Sequence, residues 1–161
     1  MKTLVLVRHA KSSWDHPGLD DHERPLNERG LRDAPKMGRR LAERGLAPDV
    51  ILSSTAVRAL TTAQLLAEAL GLDADRIIAD ERLYATSAGA ILDVVAELDA
   101  GVGTAMIVGH NPEMTSLAQR LTDELGHLPT CAVAEFRFAA DAWDELDEGL
   151  VRDVHVETPR S

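Results

Sequence analysis

The sequence holds a single cysteine, Cys131, so no disulfide can form within the chain. That excludes a disulfide-stapled scaffold and points to a reducing compartment. Basic residues are scarce as well: 17 lysines and arginines stand against 27 aspartates and glutamates, a net charge of −10. A protein that grips a phosphate backbone or an anionic bilayer needs the opposite balance, so nucleic acid and membrane are excluded as expected partners. Nothing approaches the ~20 consecutive apolar residues of a membrane-spanning helix. The run Thr3–Val7 is too short for a signal-peptide core and meets Arg8 at once. Internal repeats, low-complexity tracts and linkers are also missing. What is there, 45% hydrophobic and 27% charged residues, is ordinary globular composition. At roughly 150 residues per domain, residues 1–161 are expected to form one cytoplasmic domain. A chain of this size buries about 70% of its unfolded surface and needs no metal or disulfide staple.

Short β-branched runs alternate with longer stretches of helical periodicity, the pattern of βαβ units around a parallel sheet. Strands are predicted at Thr3–Val7, Asp49–Ser53, Arg76–Ala79, Thr104–Val108, Ala132–Phe138 and Leu150–Val156. The first is nearly all apolar, as a strand covered on both faces should be. Leu31, Ala34, Met37, Gly38, Leu41 and Ala42 recur at helical spacing, and Gly45 stops that helix. Pro35 within the pattern implies a kink or a later start. Ser54 or Thr55 can cap a second helix that runs to about Leu70, before Gly71. A third runs from Ser87 or Ala88 to about Leu98, and Pro112 suits the first residue of a fourth. The tail Thr158–Ser161 is expected to fray. The fold class is therefore α/β, a three-layer αβα sandwich with a mostly parallel sheet of five or six strands.

Function is written in where arginine and histidine fall. Arg8 and His9 stand at the carboxyl end of the first strand, and His110 at that of the fourth. Arg58 lies in the first turn of the helix after the second strand, where the helix dipole opposes a cation unless an anion sits alongside. Ligands of open α/β sheets bind outside the carboxyl ends of strands. Two guanidinium forks, two imidazoles and the free N–H groups of a helix start make a pocket shaped for a phosphoryl group.

The same residues carry a resemblance. Leu4-Val5-Leu6-Val7-Arg8-His9-Ala10 is similar to the strand and Arg-His-Gly signature of the histidine phosphatase superfamily. Ser53-Ser54-Thr55-Ala56-Val57-Arg58-Ala59 resembles its second signature, and Val108-Gly109-His110-Asn111-Pro112 its third. Arg24-Pro25-Leu26 followed by Gly30 matches the segment after the first loop. The match is collinear from Thr3 to about Leu121. The start Arg8-His9-Ala10-Lys11-Ser12 looks most like the small phosphohistidine phosphatase SixA-like branch. The resemblance implies a phosphoglycerate mutase-like fold and a substrate-binding set of Arg8, Arg58, His110 and Ser12. His9 would attack phosphorus as a neutral imidazole and form a phosphohistidine that water cleaves. Arg8, Arg58 and His110 would hold the equatorial oxygens where charge develops. No cofactor is called for.

Two positions depart from the family pattern. Ala10 replaces a glycine, which restricts the local backbone. Asp15 stands where larger relatives carry an asparagine on the phosphate; as a carboxylate it would repel a dianion, so it reads as a loop residue or a proton carrier. The general acid is open: the family position falls on Ala85, which leaves Glu81, Asp15 or no acid at all. A weak acid favours an imidazole leaving group, whose pKa is near 6.5, over an alcohol. Short loops at Leu83–Ser87 and Pro129–Cys131 leave an open mouth, suited to a phosphorylated protein such as one carrying phosphohistidine. The alternatives are a phosphatase of small phosphate esters or nucleotides, and a non-catalytic phosphopeptide-binding module; a mutase wants a closed pocket. Cys131 and Arg137 have the Cys-x5-Arg spacing of cysteine-dependent phosphatases but lack the glycine loop, and read as strand residues. The cluster His16, Asp20, Asp21, His22 and Glu23 lacks metal-ligand spacing and reads as a solvated, substrate-facing loop. Trp14 reads as a packing anchor or pocket wall.

Overall fold

The structure, a computed structural model, describes residues 1–161. Six strands form one sheet: β1 (Lys2–Arg8), β2 (Val50–Ser53), β3 (Ile77–Ala79), β4 (Thr104–Gly109), β5 (Val133–Phe138) and β6 (Val151–Glu157). Their spatial order is β3-β2-β4-β1-β5-β6. The first four are mutually parallel, while β5 pairs antiparallel with β1 and β6 antiparallel with β5. The helices are α1 (Glu28–Glu43), α2 (Val57–Ala69), α3 (Ala88–Ala96) and α4 (Glu113–Leu121).

Alternation along β1 explains the three layers. Val5 and Val7 face a core shared with Ala34, Met37 and Leu41 of α1 and with Ala63 and Leu66 of α2. Leu4 and Leu6 face the other core, with Ile91 and Val95 of α3, Leu117 of α4, Phe136 and Trp143. A strand apolar at every position is thus one covered twice. Because α1 follows β1 on one face and α4 follows β4 on the other, the chain leaves these neighbouring strands in opposite directions. The crevice beyond their carboxyl ends is the switch point of the sheet, where α/β proteins bind ligands. Arg8 pairs with Gly109 there.

Three local expectations change. Helix α1 starts at Glu28, capped by Asn27 Oδ1 accepting from Gly30 N–H at 2.9 Å, so Pro35 lies inside it. The carbonyl that Pro35 leaves unbonded is that of Leu31, a residue 50% exposed on the outer face of the helix. Leu31 and Ala42 are accordingly not core residues. The cap of α2 is neither Ser54 nor Thr55 but Ala56, because both hydroxyls are engaged elsewhere. The tail Thr158–Ser161 is tied down instead of fraying: Arg160 forks onto buried Asp33 at 3.1 Å through both Nη atoms, and Lys36 Nζ donates to Pro159 O at 2.8 Å. No helix is long and apolar enough to cross a membrane.

Candidate active site

The last residue of β1 and the residues that follow it build the floor. His9 N–H donates to Gly109 O at 2.9 Å, which locks the end of β1 to the end of β4. The His9 ring donates from Nδ1 to Ala10 O at 2.7 Å, so the lone pair sits on Nε2. Ala10 N–H in turn donates to Thr62 Oγ1 at 3.0 Å, and that hydroxyl donates to Arg58 O at 2.8 Å. One threonine on α2 thereby couples the histidine loop to the turn that carries Arg58.

His110 faces His9 with ring centroids 5.1 Å apart. Ser54 Oγ accepts from Ala56 N–H at 3.2 Å and lies 2.7 Å from His110 Nε2. His110 Nδ1 is buried without a partner, and it is a free donor when the Ser54 hydroxyl donates to Nε2. Arg8 Nε is likewise buried and unpartnered, although Arg8 Nη1 donates to Leu128 O at 3.0 Å. Each orphaned donor costs on the order of 1–3 kcal/mol unless a ligand takes it. Two such donors beside His9 describe a place that an anion can fill.

Arg8, His9, Ser12, Arg58 and His110 all line one cavity of about 340 Å³. Lys11, Trp14 and Arg24 line it too, and no carboxylate does. Burial, and after it the charges of His110, Arg58 and Arg8, drive the His9 imidazole down to about 3 against the single opposing bond to Ala10. Burial and then Arg58 take His110 down to about 4. Both rings are neutral at neutral pH. A larger depression between α4 and β6 presents Asp123, Glu124, Glu148 and Asp153, the wrong sign for a phosphoryl group.

Ser12 is buried, and its hydroxyl accepts from Arg24 Nη2. Asp15 lines a different depression, with Asn27 and Arg29. Glu81 is exposed on a single 3₁₀ turn, its carboxylate hydrogen-bonds to nothing, and it does not line the cavity, so the structure does not bring it to the site. Cys131 is buried in a left-handed conformation (φ 61°) with its N–H donating to Arg8 O and His9 O; it braces the floor, and burial pushes its thiol up to about 12. His16, Asp20, Asp21, His22 and Glu23 do not converge as a metal cluster.

Two members of that loop nonetheless reach the site. Asp21 accepts from Arg58 through its backbone O (2.6 Å) and Oδ2 (2.9 Å), from Arg24 at 2.8 Å, and from the Tyr84 hydroxyl at 2.7 Å. Those bonds, from Tyr84 first and the arginines after it, hold its carboxyl far below the usual range. His22 stands 2.8 Å from Thr55 Oγ1 and edge-on to Tyr84, whose ring is edge-on to His110. Asp21, Tyr84, Ser54 and Thr62 were missed by sequence reasoning. Only Asp21-x-x-Arg24 leaves a local trace, a carboxylate one turn from an arginine of a recognised segment.

Fold and site together define an α/β protein with a basic, histidine-lined cavity at the switch point of its sheet. Known families resolve the class further. The histidine phosphatase superfamily (branch 1) matches residues 4–101, and the chain belongs to that superfamily. An uncharacterized protein of Mycobacterium tuberculosis is 34% identical over 165 residues, covering 96% of this chain and all of that one. The structure of the candidate phosphohistidine phosphatase SixA of Nakamurella multipartitia superposes with a TM-score of 0.84 at 28% identity, over 99% of this chain and 97% of that one. Its counterpart in Agrobacterium tumefaciens gives 0.76 at 32% identity, over 84% and 91%. The fold is phosphoglycerate mutase-like.

Proposed function

We propose that the chain is a phosphatase that transfers the phosphoryl group to His9 and then to water, with phosphohistidine on proteins as its substrate. His9 Nε2 attacks phosphorus in line with the leaving group, and the P–N bond of the substrate breaks as the new one forms. The equatorial oxygens take up the orphaned donors, Arg8 Nε and His110 Nδ1, together with Arg58. Water then attacks the phosphorylated His9, releasing inorganic phosphate and the neutral imidazole.

The observation that carries the substrate class is the cavity's lack of a carboxylic acid. Glu81 is outside it, and Asp21 is held ionised by Tyr84, Arg58 and Arg24, so neither is a ready proton donor. An alcohol leaves poorly without one. The imidazole of phosphohistidine, whose ordinary pKa is near 6.5, takes its proton from solvent and leaves readily. Likeness to the SixA structures supports the same substrate.

The test is hydrolysis of a phosphohistidine peptide and of glycerol phosphate, with EDTA present, by wild type and His9→Ala. We expect turnover of the peptide to exceed that of the ester by at least an order of magnitude and to vanish in the variant. Preference for the ester, or activity that survives in His9→Ala, contradicts the proposal.

A further inference from the structure

Trp14 is an anomaly: it is a tryptophan on the wall of a basic cavity, 73% exposed and bonded through Nε1 to nothing. It is therefore no packing anchor. One face is occupied, since the Arg24 guanidinium lies 3.4 Å from the ring centroid. Arg24 itself cannot move freely, for Nε donates to Ser13 O, Nη1 to Asp21, and Nη2 to Ser12 Oγ. The indole thus rests over a fixed cation on one face while most of its surface stays exposed. Left to solvent, so large an apolar surface is unfavourable, and its place beside His9 in the same cavity gives it a use.

We propose that the exposed surface of Trp14 is a shelf for the leaving group, and that it selects a planar aromatic one: the imidazole ring of a phosphohistidine side chain. This rests on the phosphatase reading above and adds the residue that recognises what lies beyond phosphorus. The arginines and histidines bind any phosphoryl group alike. Trp14 supplies the discrimination, because stacking rewards a flat ring and an alkyl or amino group cannot provide one.

The experiment compares two substrates with the same P–N bond, a phosphohistidine peptide and phosphoramidate, which has no ring. The readout is the ratio of their kcat/KM values in wild type, Trp14→Ala, Trp14→Leu and Trp14→Phe. The ratio is expected to fall about five- to tenfold in the alanine and leucine variants and to recover in the phenylalanine variant, the range that aromatic stacking supplies. An unchanged ratio, or leucine restoring it as well as phenylalanine, overturns the shelf. Failure of wild type to hydrolyse either substrate overturns the phosphatase reading instead. The shelf is then tested by equilibrium binding to His9→Ala, where phenyl phosphate should bind more tightly than methyl phosphate and lose that advantage when Trp14→Ala is added. Equal affinities in the single variant overturn the shelf whatever the enzyme does.

Discussion

The chemistry of this site turns on two imidazoles kept neutral by burial and by the cations around them. Their ordinary pKa is 6.5, and the folded site lowers it to about 3 at His9 and about 4 at His110. Below pH 6.5 the unfolded chain takes up protons that the folded site refuses, so stability falls as pH drops from 6.5 toward those values. At pH 4.5 the loss is on the order of 2 kcal/mol per histidine. Denaturant midpoints measured from pH 7 to 4.5 should decline more steeply for wild type than for the His9→Gln/His110→Gln variant. Parallel declines would contradict the neutral pair. Arg8, His9, Arg58 and His110 were legible at this scale because each sits at a strand end or helix start that the local pattern reveals. Asp21 and Tyr84 were not, since their meeting depends on how a loop and the β3–α3 connection fold toward each other, 63 residues apart in sequence. Glu81 misled for the converse reason: a suitable residue type near the right place in sequence does not line the cavity.

Elements position these residues, and glycine shows how closely. A Cβ on Gly30 would lie 2.2 Å from Lys11 O, so the first turn of α1 rests directly on the backbone that follows His9. Gly45 has a different role, ending α1 with φ 81° and open space around it. The contrast predicts separable effects. Gly45→Ala should cost about 1 kcal/mol of stability through the left-handed backbone and leave kcat/KM near wild type. Gly30→Ala should cost about 1–3 kcal/mol and also lower kcat/KM, as the loop carrying Lys11 and Ser12 is displaced. Thermal melts with parallel assays check both, and an active Gly30→Ala enzyme would show that this contact does not position the site. The local pattern located the six strands and the starts of the four α-helices to within a few residues. It missed the true cap of α2, because Ser54 and Thr55, the two residues chemically suited to capping, are engaged by His110 and His22.

At the scale of the molecule, a chain of net charge −10 gathers Arg8, Lys11, Arg24 and Arg58 around one cavity and puts no carboxylate on its lining, with Asp21 alone reaching two of these arginines from outside it. That separation is a product of topology. β1 and β4 lie side by side and end together, while their following helices depart to opposite faces, so residues a hundred positions apart in sequence share one crevice. The α/β class and the layers were legible from the doubly apolar strands. The antiparallel pairing of β5 and β6 was not, because alternation marks a strand without stating its direction. The central claim is that this crevice moves a phosphoryl group through His9. Its most direct test is rapid acid-free quenching during turnover of a phosphohistidine peptide, followed by intact and tandem mass spectrometry. The account predicts one added phosphoryl group, located on His9 and lost as turnover ends. Steady turnover with no phosphorylated protein, or with the group on any other residue, would contradict it.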